Sequence, residues 1–532
     1  MIIDARTVPE GTTLSADICL IGGGAAGITL ARDLAGQGRS IILLESGGLE
    51  FDAATQELYQ GKTIGQPLHP LTLERLRFLG GSTNHWSGGC RPFDDLDMSV
   101  RSYIPDSGWP ITRADLDDYY RRAQKICQLG PYNYESREWS QPNAVPLPFA
   151  ESAVFTSGVY QYSPPTRFGD VYRRDLEQGE GLKVYLHANV VDIAVNEGAS
   201  QVTGLQVACL DGRRFRVEAK GYILGVGGIE NARLLLSANK VQKPGLGNGN
   251  DLVGRYFMDH PYVPNVATIA AARGNEVFAF YQVRQMHGVP AQGYVQASAD
   301  TQAKEKLSSF AIGFEPGTFH GQGGARESLS TLYHYLREGR WPDHLGDQLS
   351  QILRGAEVNL QDKYYAWTHT QPATFSTNYI CECPPDRDSR VSLGKTTDAL
   401  GLRHVRVDWR LPQDFERNLH RSHELLAREL GRSGIGRLRM NDDSSGQALM
   451  ERVSNGYHHM GTTRMHSDPR QGVVDANCRV HGIANLFVAG SSVFPTYSFD
   501  NPTMTIVALS LRLSEHLKSV YLTSLTSRST VR

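Results

Sequence analysis

Two short stretches near the C-terminal end carry side chains able to move protons. Tyr457-His458-His459-Met460-Gly461-Thr462 offers two adjacent imidazoles, and Asp500-Asn501-Pro502-Thr503 offers a carboxamide. An unperturbed imidazole titrates near pH ~6.5, which suits it to accept a proton at neutral pH. A carboxamide can donate a hydrogen bond to an oxygen that is gaining negative charge. Asn501-Pro502 is also predicted to open a helix, with Asn as the N-cap and Pro at the first helical position. Such a helix would aim free backbone N–H groups and its positive dipole end at an anionic group in front of it. His459 competes with His458 for the role of base. If the segment is a strand, successive side chains point to opposite sides and only one of the two faces the site; His458 is taken as that one. Taken alone, the segment is equally consistent with a simple cap and a satisfied core histidine.

The elements that must position these groups begin at the other end of the chain. Asp17-Ile18-Cys19-Leu20-Ile21 is a short apolar strand running into Gly22-Gly23-Gly24-Ala25-Ala26-Gly27 and then an amphipathic helix to about residue 37. A second apolar strand, Ile41-Ile42-Leu43-Leu44, ends in Glu45. Strand, G-x-G-x-x-G, helix, strand and acid in this order form a dinucleotide-binding unit. Gly22 allows the tight turn, Gly24 lets the backbone approach a pyrophosphate, Gly27 lets helix and strand pack closely, and Glu45 would accept hydrogen bonds from a ribose. The motif does not separate FAD from NAD.

Gly80-Gly81-Ser82-Thr83-Asn84-His85-Trp86 continues to Gly88-Gly89. Glycines at this density, mixed with small polar residues, describe a backbone passing close to something flat or charged. A helix is predicted over Thr112–Leu129, with a Thr112/Asp115 capping pattern and an apolar face. Strands return at 183–188, 190–191, 204–209 and 221–225, followed by a helix over 229–238, and residues near Val190 and Val191 are expected to contact an adenine through the backbone. A further helix is predicted over 412–430, with Phe415, Leu419, Leu426 and Leu430 on one face.

The 532 residues exceed one simple domain, and 40% hydrophobic content supports a full core. A net charge of −2 gives no reason to expect nucleic acid or an anionic membrane surface. Seven scattered cysteines are no disulfide framework, and Cys381-Glu382-Cys383 lacks the second half of a zinc site, so no metal is expected. No run approaches the roughly 20 apolar residues of a membrane span, and residues 1–14 lack signal-peptide character. The expected location is cytoplasmic.

Together these motifs resemble the glucose-methanol-choline (GMC) family of oxidoreductases. The resemblance is carried by Gly22-x-Gly24-x-x-Gly27 with Glu45, by Gly80-Gly81-Ser82-Thr83, and by His458-x-x-Gly461-Thr462 with Asn501-Pro502. The C-terminal segment is most similar to the branch holding pyranose oxidases and bacterial sugar oxidases. The resemblance implies an α/β plus β fold: a discontinuous Rossmann-like FAD-binding domain (15–100, 180–255 and 455–520) and a β-rich substrate-binding domain (101–179 and 256–454), with 521–532 as a mobile tail. It implies FAD held by Gly22, Gly24, Ala25, Ala26, Gly27, Glu45, Gly80, Gly81, Ser82, Asn84, His85, Trp86, Val191, Gly490, Ser491, Asn501, Pro502 and Thr503. His85-Trp86 matches a histidine that bonds covalently to the flavin in pyranose oxidases. The intervening Ser82-Thr83-Asn84 differs, which leaves the link through His85 open.

The implied activity is oxidation of an alcohol to a carbonyl by hydride transfer to flavin N5, with His458 as base and Asn501 as hydrogen-bond partner. The implied substrate is a secondary hydroxyl of a sugar or glycoside, and the electron acceptor is oxygen, a quinone or a redox protein. Alternatives are a non-sugar alcohol substrate, a non-redox flavin lyase of the same fold, and a non-catalytic nucleotide-binding protein. His260, in Met258-Asp259-His260-Pro261, is assigned a structural role at the entry to the second domain. An oligomer is compatible with all of these.

Overall fold

The strand Thr13–Ile21 is the axis of an eight-stranded sheet. Ile18, Cys19, Leu20 and Ile21 are all buried, as are Ile41 to Leu44 beside them, which is the signature of parallel strands covered on both faces. The strand order is Ile2–Asp4, Leu182–Leu186, Ile41–Leu44, Thr13–Ile21, Arg214–Leu224, Val202–Ala208, Asn189–Val195. Ile18 pairs with Ile41 and with Gly221, both in parallel register. The far edge of Arg214–Leu224 has two partners. Its first half pairs antiparallel with Val202–Ala208, and Tyr222 to Leu224 pair in parallel with Leu486–Val488. That last pairing brings the C-terminal segment into the nucleotide-binding sheet. The structure, a computed structural model, describes residues 1–149, 152–272, 275–316, 374–441 and 449–521. The predicted tail beyond Tyr521 lies outside the described residues.

The helices Ala25–Leu34 and Thr503–Tyr521 pack together on one face of this sheet, and Asp117–Ile126 packs on the second of them. The predicted helix over Thr112–Leu129 is shorter than expected. Thr112 donates through its N–H to the Asp115 carboxylate at 2.8 Å, a 3-10 turn spans Ala114–Leu116, and the α-helix ends at Ile126. The predicted helix over 412–430 is Phe415–Arg432, and its four apolar residues are buried against the second sheet.

That second sheet has nine strands and is antiparallel throughout. Its main path runs from Gly436–Met440 through Pro261–Ala271, Thr374–Cys381, Phe310–Pro316, Val289–Ala297 and Phe155–Tyr162 to Gly89–Cys90. A small third sheet, Arg390–Thr397, Arg403–Trp409 and Gly61–Gly65, lies against the helix Gly227–Ser237.

The cores divide differently from the predicted segments. Trp109, Leu116, Tyr120, Ala123, Phe168 and Leu176 were assigned to the second domain but join the core of the nucleotide-binding sheet. Val391, Val405, Val407 and Trp409 do the same, while Gly89–Cys90 joins the second sheet. An apolar face specifies that a helix is covered, not which sheet covers it.

A buried ion pair links the loop after Met98 to the second sheet. The Arg101 guanidinium holds the Glu382 carboxylate through two bonds, one of 2.7 Å, and both side chains are essentially inaccessible. Removing one member of such a pair leaves the other charge buried alone. Glu382→Ala is expected to destabilise the fold by about 3–5 kcal/mol, measured by denaturant unfolding. All seven cysteines are free and buried, and Glu382 rather than its flanking thiols gives Cys381-Glu382-Cys383 its structural role.

Candidate active site

The strands Thr13–Ile21, Ile41–Leu44, Arg214–Leu224 and Leu486–Val488 all end at one edge of the sheet, where open α/β folds bind ligands. The turn after the first of them shows why the glycines are spaced as they are. Gly22 has φ +100°, and a Cβ there would lie 2.5 Å from the Gly225 carbonyl oxygen. A Cβ on Gly27 would lie 1.8 Å from the carbonyl oxygen of Gly22, so only glycine lets the helix start this close to the strand. A Cβ on Gly24 would meet nothing within 4 Å; it would project into open space in front of the helix Ala25–Leu34. That space, at a helix N-terminus, suits a pyrophosphate.

This space belongs to a cleft of about 450 Å3. Its walls include Gly22, Gly24, Ala25, Ala26 and Glu45 at one side, Gly81, Ser82, His85 and Trp86 along it, and His458, Gly490, Ser491, Asn501, Pro502 and Thr503 from the C-terminal segment. The N-terminal motif, the glycine-rich loop, His458 and Asn501 therefore share one cavity. Gly81 sits against Gly24, with its Cβ position 3.2 Å from the Gly24 Cα, so the two glycine-rich loops stack directly.

Four of the expected contacts stand behind the wall. Gly27 packs under Gly22. Gly80 and Asn84 are internal to their loop, where the Asn84 amide donates to the Leu79 carbonyl at 3.0 Å. Val191 is not on the wall, where Ala188 and Val190 lie, but an adenine contact through the backbone does not depend on where its side chain points. Glu45 is buried, and its oxygens accept the N–H groups of Gly23 at 2.7 Å and Gly47 at 2.8 Å. Burial pushes its carboxyl pKa up against those bonds. Its remaining lone pairs can still take ribose hydroxyls.

The helix predicted to begin at Asn501 begins later. It spans Thr503–Tyr521, and the N–H of Ile506 bonds the carbonyl of Pro502, which makes Pro502 the cap. Asn501 is instead held from the side. Its Nδ2 donates to the Gly89 carbonyl at 2.9 Å, on the strand that edges the second sheet. Asn501 also lines the cleft.

Residues 457–459 form no strand, so alternation does not separate the two histidines. Tyr457 takes the left-handed conformation, φ +62°, and the pair is separated by its partners. His459 also reaches the cleft wall, but its Nε2 lies 2.7 Å from Glu74 Oε2, in a buried hydrogen bond. His458 is tied through its backbone N–H to Asp259 Oδ1 at 2.8 Å and through Nδ1 to His260 Nδ1 at 2.9 Å. The segments are brought together by Met258 and Met460, which exchange both backbone hydrogen bonds. Asp259 also accepts from the His260 N–H and from Asn455, and burial raises its pKa to about 6. Among the described residues Asp259, His260 and His458 come close enough to share a cation, but their polar atoms engage one another.

Burial, with the neighbouring His459, lowers the His458 pKa to about 3. The near-neutral titration expected of a free imidazole is thereby shifted down, which favours the neutral ring. Burial lowers His423 to about 4 and pushes His260 down as well. The sign for stability follows. Between each depressed pKa and the unfolded value near ~6.5, the unfolded chain binds protons that the folded chain refuses, so stability is present above that value and lost as pH falls. Thermal midpoints are expected to drop progressively between about pH 6.5 and pH 4, and His423→Leu is expected to flatten part of that slope.

Several cleft residues carried no sequence signal. Arg75 pairs with Glu230 at 2.8 Å below the cleft, and Arg77 lies 3.5 Å from the same carboxylate. Burial raises the Glu230 pKa, but Arg233, Arg75 and Arg77 outweigh it and hold it at about 2. Tyr59 and Ile506 also line the cleft. These residues come from loops and helix faces whose partners are set only by folding; Gly227-Gly228 ahead of a helix was the one available cue.

An FAD fits this donor set. The open space at Gly24 takes the pyrophosphate, Glu45 and the backbone near Val190 lie at the nucleoside side, and the cleft continues to His458 and Asn501. No helix among the described residues is long and apolar enough to cross a membrane.

Residues 385–510 match the GMC oxidoreductase C-terminal model. The chain is 23% identical to the fructose dehydrogenase large subunit of Gluconobacter japonicus, over 94% of this chain and 98% of that one. It is 26% identical to paromamine 6'-oxidase of Streptomyces fradiae, over 93% and 90% of the two chains. Formate oxidase of Aspergillus oryzae shares the fold, with a TM-score of 0.53 at 15% identity over 96% of this chain and 99% of that one. Residues 385–510 are a GMC oxidoreductase domain, the chain is an oxidoreductase, and its cleft fits FAD.

Proposed function

We propose that the protein oxidises a secondary hydroxyl of a sugar or glycoside to the carbonyl, with His458 as base and Asn501 as the hydrogen-bond donor to the reacting oxygen. The observation that carries this is the presence of both side chains on the wall of the cleft that begins at the Gly22–Gly27 turn. The cofactor's contribution when bound is a two-electron hydride acceptor. The chain does the rest. His458 Nε2 takes the hydroxyl proton, and an amide hydrogen of Asn501 steadies the charge that grows on oxygen as the proton leaves. Because Asn501 is held by Gly89 of the second sheet, its position depends on the substrate domain as well as on the nucleotide-binding sheet. The sugar class is supported by the names of the two sequence relatives, a fructose dehydrogenase and a paromamine oxidase.

The test is anaerobic mixing of the yellow protein with sugars, glycosides and simple alcohols. Bleaching by sugars or glycosides and not by simple alcohols is expected. Retained colour with all of them points to non-redox chemistry. Admitting air, then a quinone, identifies the acceptor by which one restores the colour. His85 lines the cleft, so a bond from its imidazole to the flavin is sterically open; acid precipitation reads it as colour in the pellet.

A further inference from the structure

The catalytic reading rests on an imidazole that must present a bare nitrogen to the substrate, and a neutral imidazole has two tautomers, only one of which does so from a given side. His260 lies directly behind His458, with the two Nδ1 atoms 2.9 Å apart and the rings nearly perpendicular at 85°. The other nitrogen of His260 is 2.7 Å from the carbonyl oxygen of Ser498. A carbonyl oxygen only accepts, so His260 Nε2 must carry the hydrogen. His260 is fully buried and neutral, which leaves its Nδ1 as a lone pair. The hydrogen in the contact between the rings therefore belongs to His458 Nδ1, and His458 Nε2 is left unprotonated beside the cleft.

We infer that His260 is a positioning residue that selects the tautomer of His458, through a one-way chain of hydrogen bonds from His458 Nδ1–H to His260 Nδ1 and from His260 Nε2–H to the Ser498 carbonyl. This deepens the proposed function and rests on it. The surroundings leave the chain little freedom. Tyr497 packs edge-on against His260 at 4.6 Å and donates through its hydroxyl to the Asp259 carbonyl at 2.6 Å. A Cβ on Gly456 would meet both His260 Cβ and His458 Nδ1 at 3.1 Å, so the pair is closely enclosed. Asp259 Oδ1 grips the backbone N–H of both histidines and so fixes their separation. During turnover the substrate proton is added at Nε2, His458 becomes doubly protonated, and the Nδ1–H bond to His260 persists. The arrangement does for His458 what a buried carboxylate does for the histidine of a serine-protease triad, with a neutral partner.

The test uses holoenzyme with nitrogen-15-labelled histidine, His458 being assigned by its loss in His458→Ala. Wild-type protein is expected to show His458 protonated at Nδ1 and bare at Nε2. His260→Leu removes the acceptor; the His458 signal should move toward the other tautomer, and flavin reduction at saturating substrate should slow by about 10- to 100-fold with substrate affinity unchanged. His260→Asn restores an acceptor oxygen and should recover most of both signals. A wild-type His458 protonated at Nε2, or a leucine variant keeping the Nδ1–H signal and the wild-type rate, overturns the inference. If the leucine variant does not fold, the wild-type signal and the asparagine variant still decide it. Normal turnover in His458→Ala would sink the base assignment while leaving the tautomer measurement intact, so the two failures are separable.

Discussion

His458→Ala is expected to purify yellow, with unchanged flavin content, and to be reduced by substrate about 10²–10⁴ times more slowly than the wild type. The size follows from what is removed. Beside His458, the Nε2 of His459 is bonded to Glu74, and Asn501 cannot accept a proton at neutral pH. Chemical reduction by dithionite should be unaffected, because it needs no base. The pH profile should also be informative. With its pKa lowered to about 3, His458 does not gain a proton between pH 5 and pH 8, so the wild-type reduction rate should show no acid limb from this residue in that interval. A sigmoidal loss centred near pH 6.5 would mean that the bound state relieves the burial of His458. Rates near wild type in the alanine variant would end its assignment as the base.

The second large effect is expected at a residue that touches neither substrate nor cofactor. Gly27→Ala places a methyl 1.8 Å from the Gly22 carbonyl oxygen, a backbone atom that cannot swing aside. Strand and helix must separate, and overpacking of this kind costs roughly 1–3 kcal/mol, occasionally more. The separation occurs where the cofactor is gripped, so the variant should purify colourless and with a lowered thermal midpoint. Gly24→Ala is the contrast. Its methyl has room in the protein but projects into the space where a pyrophosphate would lie. That variant should keep the stability of the flavin-free protein and lose affinity for added FAD. Equal behaviour of the two variants would contradict the separate roles of the two glycines.

What was legible from residue order alone was local or periodic. The turn at Gly22–Gly27 could be assigned because a strand, a glycine spacing and a helix must be adjacent in sequence to form it. The apolar run Ile41–Leu44 and the face Phe415, Leu419, Leu426, Leu430 were legible because burial imposes a repeat that sequence displays. His458 and Asn501 were named as candidates through spacing from Gly461-Thr462 and from Pro502. Where rules of local geometry were applied beyond their reach, they missed. Asn501 was expected to cap a helix, yet its amide serves Gly89, some 400 residues away in sequence.

Only the tertiary structure decided how the pair is electrically set. The residue types His458, His459 and His260 are evident in the chain, but their protonation depends on what surrounds them. Glu74 occupies His459, and the Asp259 carboxylate and Ser498 carbonyl lock His260 behind His458. Those partners are separated by up to several hundred residues, and desolvation, which lowers the His458 pKa most, is a property of enclosure by the whole fold. Hydrogen-bond direction and dielectric environment have no period and no motif, so the order of residues named the groups that could react and the packing of the chain determined the state in which they wait.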